Sequence, residues 1–219
     1  MSKNLGPIHY MMYDKIKFQD DITAYLLGDK IEEAEIIEKP VARESLDSLI
    51  DQDNIHGWLD SKIDIVEKRL AYALSHTDRA KEKMYEFGKK QAAGKDFSNF
   101  NTIFNDLNMY LLDGMPCDRG LSAQVDEKGD LYLITNANMH EKYEDMDINP
   151  EESRDNTCAG GHDHDHHESF EVKSDSKLDL SGEKSSYHDY RYEFLKGYFK
   201  DSPYDVEMIN GVNFRIYQQ

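Results

Sequence analysis

The chain has 219 residues, of which 44 are Asp or Glu and 26 are Lys or Arg, for a formal charge of −18 with histidine neutral. That balance excludes most nucleic-acid binders, which need a basic footprint to release counterions, and it disfavours adsorption to anionic lipid headgroups. Cations, basic protein surfaces and small-molecule substrates are the partners it suits. The first residues contain no uninterrupted apolar run and no small-residue cleavage site, so they do not read as a signal peptide. No stretch approaches the ~20 apolar residues of a membrane span. Two cysteines, Cys117 and Cys158, are too few for a disulfide scaffold, which makes a reducing cytoplasm the expected compartment.

In chain order, residues 5–27 read as a helix: Pro7 suits its first turn, and Ile8, Met12, Ile16, Ile22 and Leu26 recur at helical spacing before Gly28. A charged piece, Lys30 to Lys39, ends at Pro40. The strongest helical pattern covers residues 53–93, capped by Asp53 or Asn54 and carrying Ile55, Leu59, Ile63, Val66, Leu70, Ala73 and Leu74 on one face. Ser75 and Asp78 have the spacing of a fresh helix start, which predicts a break there. After Gly94, the residues from Phe97 to Leu111 repeat the amphipathic pattern up to Gly114.

Near residue 115 the apolar period changes from helical to alternating. Leu121, Ala123 and Val125, a turn at Asp126 to Gly129, then Leu131 and Leu133 predict a hairpin. Tyr187 to Lys200 reads as a helix with Tyr190, Phe194 and Tyr198 at steps of four. A second hairpin joins Val206 and Met208 to Val212, Phe214 and Ile216 across Asn210-Gly211, a pair that accepts the positive φ of a type I′ turn. The expected class is α+β: an N-terminal antiparallel helical bundle, residues 1–114, followed by a small four-stranded antiparallel β-β-α-β-β region, residues 115–219. Residues 141–186 carry fourteen acidic and five basic side chains and read as an exposed acidic His-rich insertion without fixed structure in the absence of a ligand. No internal repeat is expected.

The densest constellation lies inside that insertion, in Cys158-Ala-Gly-Gly-His162-Asp163-His164-Asp165-His166-His167-Glu168. Imidazole and thiolate are the ligands that zinc, nickel and other late first-row ions favour, while the interleaved carboxylates can add oxygen donors or accept the second imidazole N–H. Over these residues the chain resembles, in composition, the His-rich tracts of nickel and zinc metallochaperones and metal transporters. The resemblance implies metal handling and implies no fold. The leading expectation is therefore a metal-binding protein that captures a divalent transition metal, zinc or nickel, as its cofactor or cargo.

A dispersed set forms a possible second metal site: His9, His56, Asp60 and Glu67, the last three near one face of the long helix. Helix capping and solvated carboxylates are the plainer reading of the same residues. A second functional class, a metal- or cysteine-dependent hydrolase, would draw on His9, His56, Cys117 and His140 in a cleft between bundle and sheet, with Cys117 as nucleophile and His140 or His56 as its base. A third is an acidic, non-enzymatic interaction protein docking on a basic partner. Phosphate-loop, dinucleotide, nucleophile-elbow, zincin and EF-hand spacings are absent from the sequence.

Overall fold

The computed structural model describes residues 5–113, 120–136, 140–144, 172–174, 178, 180–182 and 184–219. Its elements are α1 (Pro7–Leu27), α2 (Ile31–Ala34), α3 (Leu46–Leu49), α4 (Ile55–His76), α5 (Ala80–Gln91), α6 (Phe100–Asn108), β1 (Leu121–Val125), β2 (Leu131–Thr135), α7 (Glu141–Glu144), β3 (Lys173–Ser174), α8 (Ser186–Phe199), β4 (Tyr204–Ile209) and β5 (Asn213–Gln218). The class is α+β. Four antiparallel strands stand in the order β1-β2-β5-β4, and the two-residue β3 adds a parallel edge beside β1. Among the described residues no helix is long and apolar enough to cross a membrane.

Local chemistry accounts for the boundaries. Pro7 opens α1, and Gly28 closes it at φ 56°, a conformation open to glycine. The side chain of Asn54 caps α4 by accepting from Gly57 N, and that of Asn99 caps α6 by accepting from Thr102 N. The predicted break in the long helix falls at residues 77–79, where Arg79 takes a left-handed φ of 59°. Asp126 Oδ1 gathers the N–H groups of Lys128 and Asp130 to shape the first hairpin turn. In the second, Asn210 and Gly211 have φ of 48° and 81°, as their sequence requires. Ile209 pairs with Asn213, so Val212 completes a three-residue loop and the Val206–Ile216 and Met208–Phe214 pairs follow.

The helices do not alternate in direction as an antiparallel bundle would. His9 meets His56, Tyr13 meets Trp58, Gln19 meets Glu67 and Asp20 meets Arg69, so α1 and α4 lie side by side and run the same way. Parallel alignment also holds for α5 and α8, with Lys81 against Asp189 at one end and Lys89 against Asp201 at the other. Those two helices approach at glycines. A Cβ on Gly88 would lie 2.0 Å from the carbonyl oxygen of Phe194, and one on Gly197 would lie 1.9 Å from that of Tyr85.

Helices α1 and α4 also resemble each other in sequence. Shifting α1 by 47 residues matches Ile8, His9, Lys15, Ile16, Ala24, Tyr25 and Leu27 to Ile55, His56, Lys62, Ile63, Ala71, Tyr72 and Leu74, all identities. Met12 and Asp20 fall on Leu59 and Glu67, and each of these four is buried. The two helices that match at these positions pack against each other.

The apolar interior has two clusters. The larger joins Ile22 and Leu26 of α1, Leu70 and Ala73 of α4, α5, α6, α8 and the sheet, so the helical region and the sheet region share one core. The smaller gathers Met12, Tyr13, Ile16, Leu46, Leu59, Ile63 and Leu112 around the first halves of α1 and α4. Between them, on α1 and α4, lie buried polar side chains: Lys15, Gln19, Asp20, Glu67 and Arg69.

A buried ionic belt as candidate functional site

Three elements bring charge into this belt. From α4, Glu67 receives Gln19 Nε2 at 2.9 Å on one oxygen and stands 2.7 Å from His140 Nδ1 through the other. From α8, Arg191 Nη2 lies 3.3 Å from His140 Nε2 and 2.8 Å from Asp113 Oδ1. That second contact is close yet off the hydrogen-bond axis, because neither Asp113 oxygen has an aligned donor. The Tyr187 ring stacks on His140 with centroids 3.7 Å apart. Close by, Lys15 donates to Asn108 Oδ1 at 2.8 Å. Arg69 bridges Asp20 Oδ1 at 2.7 Å and the carbonyl of Glu38 at 2.7 Å.

Backbone geometry fixes two of these groups. Asp113 is held where the chain returns at Gly120, whose absent Cβ would lie 1.8 Å from the Asp113 carbonyl oxygen. His188 closes a capping box at the start of α8, its Nδ1 accepting from Ser185 N at 3.1 Å.

Titration follows burial first and neighbours second. Burial works against ionised Asp113, but Arg191 and His140 outweigh it and hold this carboxyl well below the usual range. Burial would lower His140, yet the charge and hydrogen bond of the Glu67 carboxylate, with the Asp113 carboxylate nearby, raise it overall against the opposing charge of Arg191. Burial, then the charges of Arg191 and His140, push His188 down to about 3, so its ring is neutral with the proton on Nε2. Burial also lowers Lys15 to about 8. Groups so enclosed and mutually paired lock α1, α4, α8 and the segment at His140 together.

The dispersed histidines separate. His9 and His56 do meet, with ring centroids 5.5 Å apart, and burial followed by the neighbouring His56 lowers His9. Gly6 N–H donates to His9 Nδ1 at 2.9 Å, which leaves the ring proton on Nε2 and suits a helix cap better than a metal ligand. Asp60 is exposed, and Glu67 belongs to His140 instead. Among the described residues no group of three or more His, Cys, Asp or Glu is placed to hold a metal ion. Cys117 and the whole tract of Cys158, His162, Asp163, His164, Asp165, His166, His167 and Glu168 lie outside the described residues.

Sequence reasoning found Glu67 and His140 but did not join them, and it missed Asp113, Arg191, Lys15 and His188 as members of one belt. A signal existed for Arg191. It occupies the apolar stripe of α8 with Tyr187, Phe194, Leu195 and Tyr198, where a lone cation implies a buried partner. Comparison with known proteins adds no identity: no family model, curated protein or solved structure matches the chain.

Proposed function

We propose that the protein captures a divalent transition metal, zinc or nickel, through the tract from Cys158 to Glu168. The observation that carries this reading is the donor density itself: four histidines within six residues, a cysteine four residues before them, and three interleaved or adjacent carboxylates. Neutral imidazoles and the Cys158 thiolate supply the bonds, while the surrounding acid raises the local concentration of cations. A metal- or cysteine-dependent hydrolase, the alternative reading, would draw on some of His9, His56, Cys117 and His140, of which Cys117 lies outside the described residues. His140 abuts Glu67, eleven residues along α4 from His56, or about 16 Å at the helical rise of ~1.5 Å per residue.

The test is calorimetric titration of the untagged full chain with zinc and with nickel, beside a variant lacking residues 158–168. Binding tighter than about high micromolar is expected, lost in the deletion. It should weaken as pH falls through the ordinary histidine value near ~6.5, because the ligands must be deprotonated. Equal affinity in the deletion variant overturns the reading.

A further inference from the structure

Both ring nitrogens of the buried His140 are in use. Nδ1 stands 2.7 Å from Glu67 Oε2, while Nε2 stands 3.3 Å from Arg191 Nη2 and 3.9 Å from Asp113 Oδ1. A guanidinium can only donate, so its contact with Nε2 requires a lone pair there. The ring proton is then on Nδ1, which donates to Glu67, and His140 is neutral. In that arrangement neither Asp113 oxygen has an aligned donor. We propose that His140 is a proton-operated switch: a second proton, taken up on Nε2, turns this nitrogen from Arg191 to Asp113 and clasps the ring between two carboxylates.

The rearrangement is small and its direction is set by charge. A proton on Nε2 would meet the guanidinium as a like charge at 3.3 Å, so that contact must break. Asp113 Oδ1 has to close by only about 1 Å to accept the new N–H. The Tyr187 ring, stacked on His140 with centroids 3.7 Å apart, permits such a slide within the ring plane. Glu67 from α4 and Asp113 from the segment after α6 favour the charged ring, and together they outweigh burial and Arg191. The exchange therefore falls above the ordinary histidine value near ~6.5. From α8, burial raises Tyr187, and His188 stays neutral down to about 3, so neither takes up the proton. Lys15 of α1, lowered to about 8, acts on Asp113 and Arg191. Tyr143 N–H donates to the His140 carbonyl at 3.0 Å and its Oη to Asp64 at 2.9 Å, which places the switch where α7 is tied to α4.

The experiment follows the imidazole nitrogens of the full chain by NMR as pH is varied, with chelator present and His140 identified by the signal that His140→Gln removes. The His140 ring should titrate above the ordinary histidine value and, on the alkaline side of its midpoint, carry its proton on Nδ1. Asp113→Asn should lower its proton affinity about tenfold or more, because it takes away the acceptor charge of the protonated state. If either variant fails to fold, crystals of the unaltered chain at about pH 5.5 and about pH 9 decide the matter. Nε2 should lie within hydrogen-bond distance of Asp113 at the lower pH and of Arg191 at the higher. A ring proton on Nε2 in the alkaline form, a midpoint below the ordinary value, a midpoint that Asp113→Asn leaves in place, or the same contacts at both pH values would each overturn the proposal.

Discussion

At the scale of single residues, the belt turns buried charges into determinants of stability. Removing one member of a buried pair strands the other, at a cost of about 3–5 kcal/mol. Arg191→Met should therefore destabilise the fold by about that amount in urea unfolding, and Asp113→Asn by a similar one. The double variant should lose less than the sum of the two, because each single change already removes the shared interaction. Acid should act through different members. Between the ordinary histidine value near ~6.5 and the His188 value of about 3, the unfolded chain takes up a proton that folded His188 refuses. Its contribution is complete above that window and is lost as pH falls through it. The depressed His9 works in the same direction, and Asp113 extends the loss below its ordinary carboxyl value. His140, raised, opposes the trend: its contribution is full below the ordinary histidine value and fades as pH climbs through its folded one. Urea unfolding at successive pH values should show stability declining from pH 6 to pH 3. His188→Gln, which can still close the capping box, should flatten that decline by about one proton.

At the scale of elements, the contact between α5 and α8 rests on two hydrogens. With Gly88 and Gly197 each leaving no room for a methyl group against the opposing backbone, Gly88→Ala or Gly197→Ala must push the helices apart. Overpacking costs typically 1–3 kcal/mol or more, well above the helix propensity that alanine gains, so thermal unfolding should shift downward in both variants. Here the limits of reading sequence become physical. Helix ends and hairpin turns are legible because their causes are local: Pro7, Gly28, Asn99 and Asn210-Gly211 act on the backbone within a few residues of themselves. An apolar stripe says which face of a helix is buried but is blind to the direction of the neighbour, so the parallel pairs were out of reach. The belt was only half legible for a related reason. Glu67 and His140 are 73 residues apart, and nothing in either neighbourhood names the other. The edge strand β4 shows a further device. Asp205 Oδ1 accepts from Val206 N, and Tyr192 Oη donates to the Val206 carbonyl, so side chains occupy backbone groups that could otherwise recruit a foreign strand.

At the scale of the whole molecule, helices and sheet are held by one shared apolar cluster, with α8 inserted between the two hairpins in sequence and packed on α5 in space. Residues 1–114 expressed alone would expose the faces of α5 and α6 that α8 and the sheet cover, and would lack Arg191 for Asp113. That fragment should show no cooperative thermal transition by circular dichroism, whereas the full chain should show one. The matched pair of α1 and α4 also constrains the route to the native state. Two neighbouring helices that point the same way cannot be joined by a tight turn. The chain must travel back the roughly 31 Å that 21 residues of helix advance, and it spends residues 28–54 doing so. The pairing of α5 with α8 closes a longer excursion still, one that encloses both the first hairpin and the acidic tract. Native contacts so distant along the chain are assembled only after large losses of loop entropy, which places this protein among slow folders for its helical content. A change in the length of the acidic tract would then register first in the refolding rate.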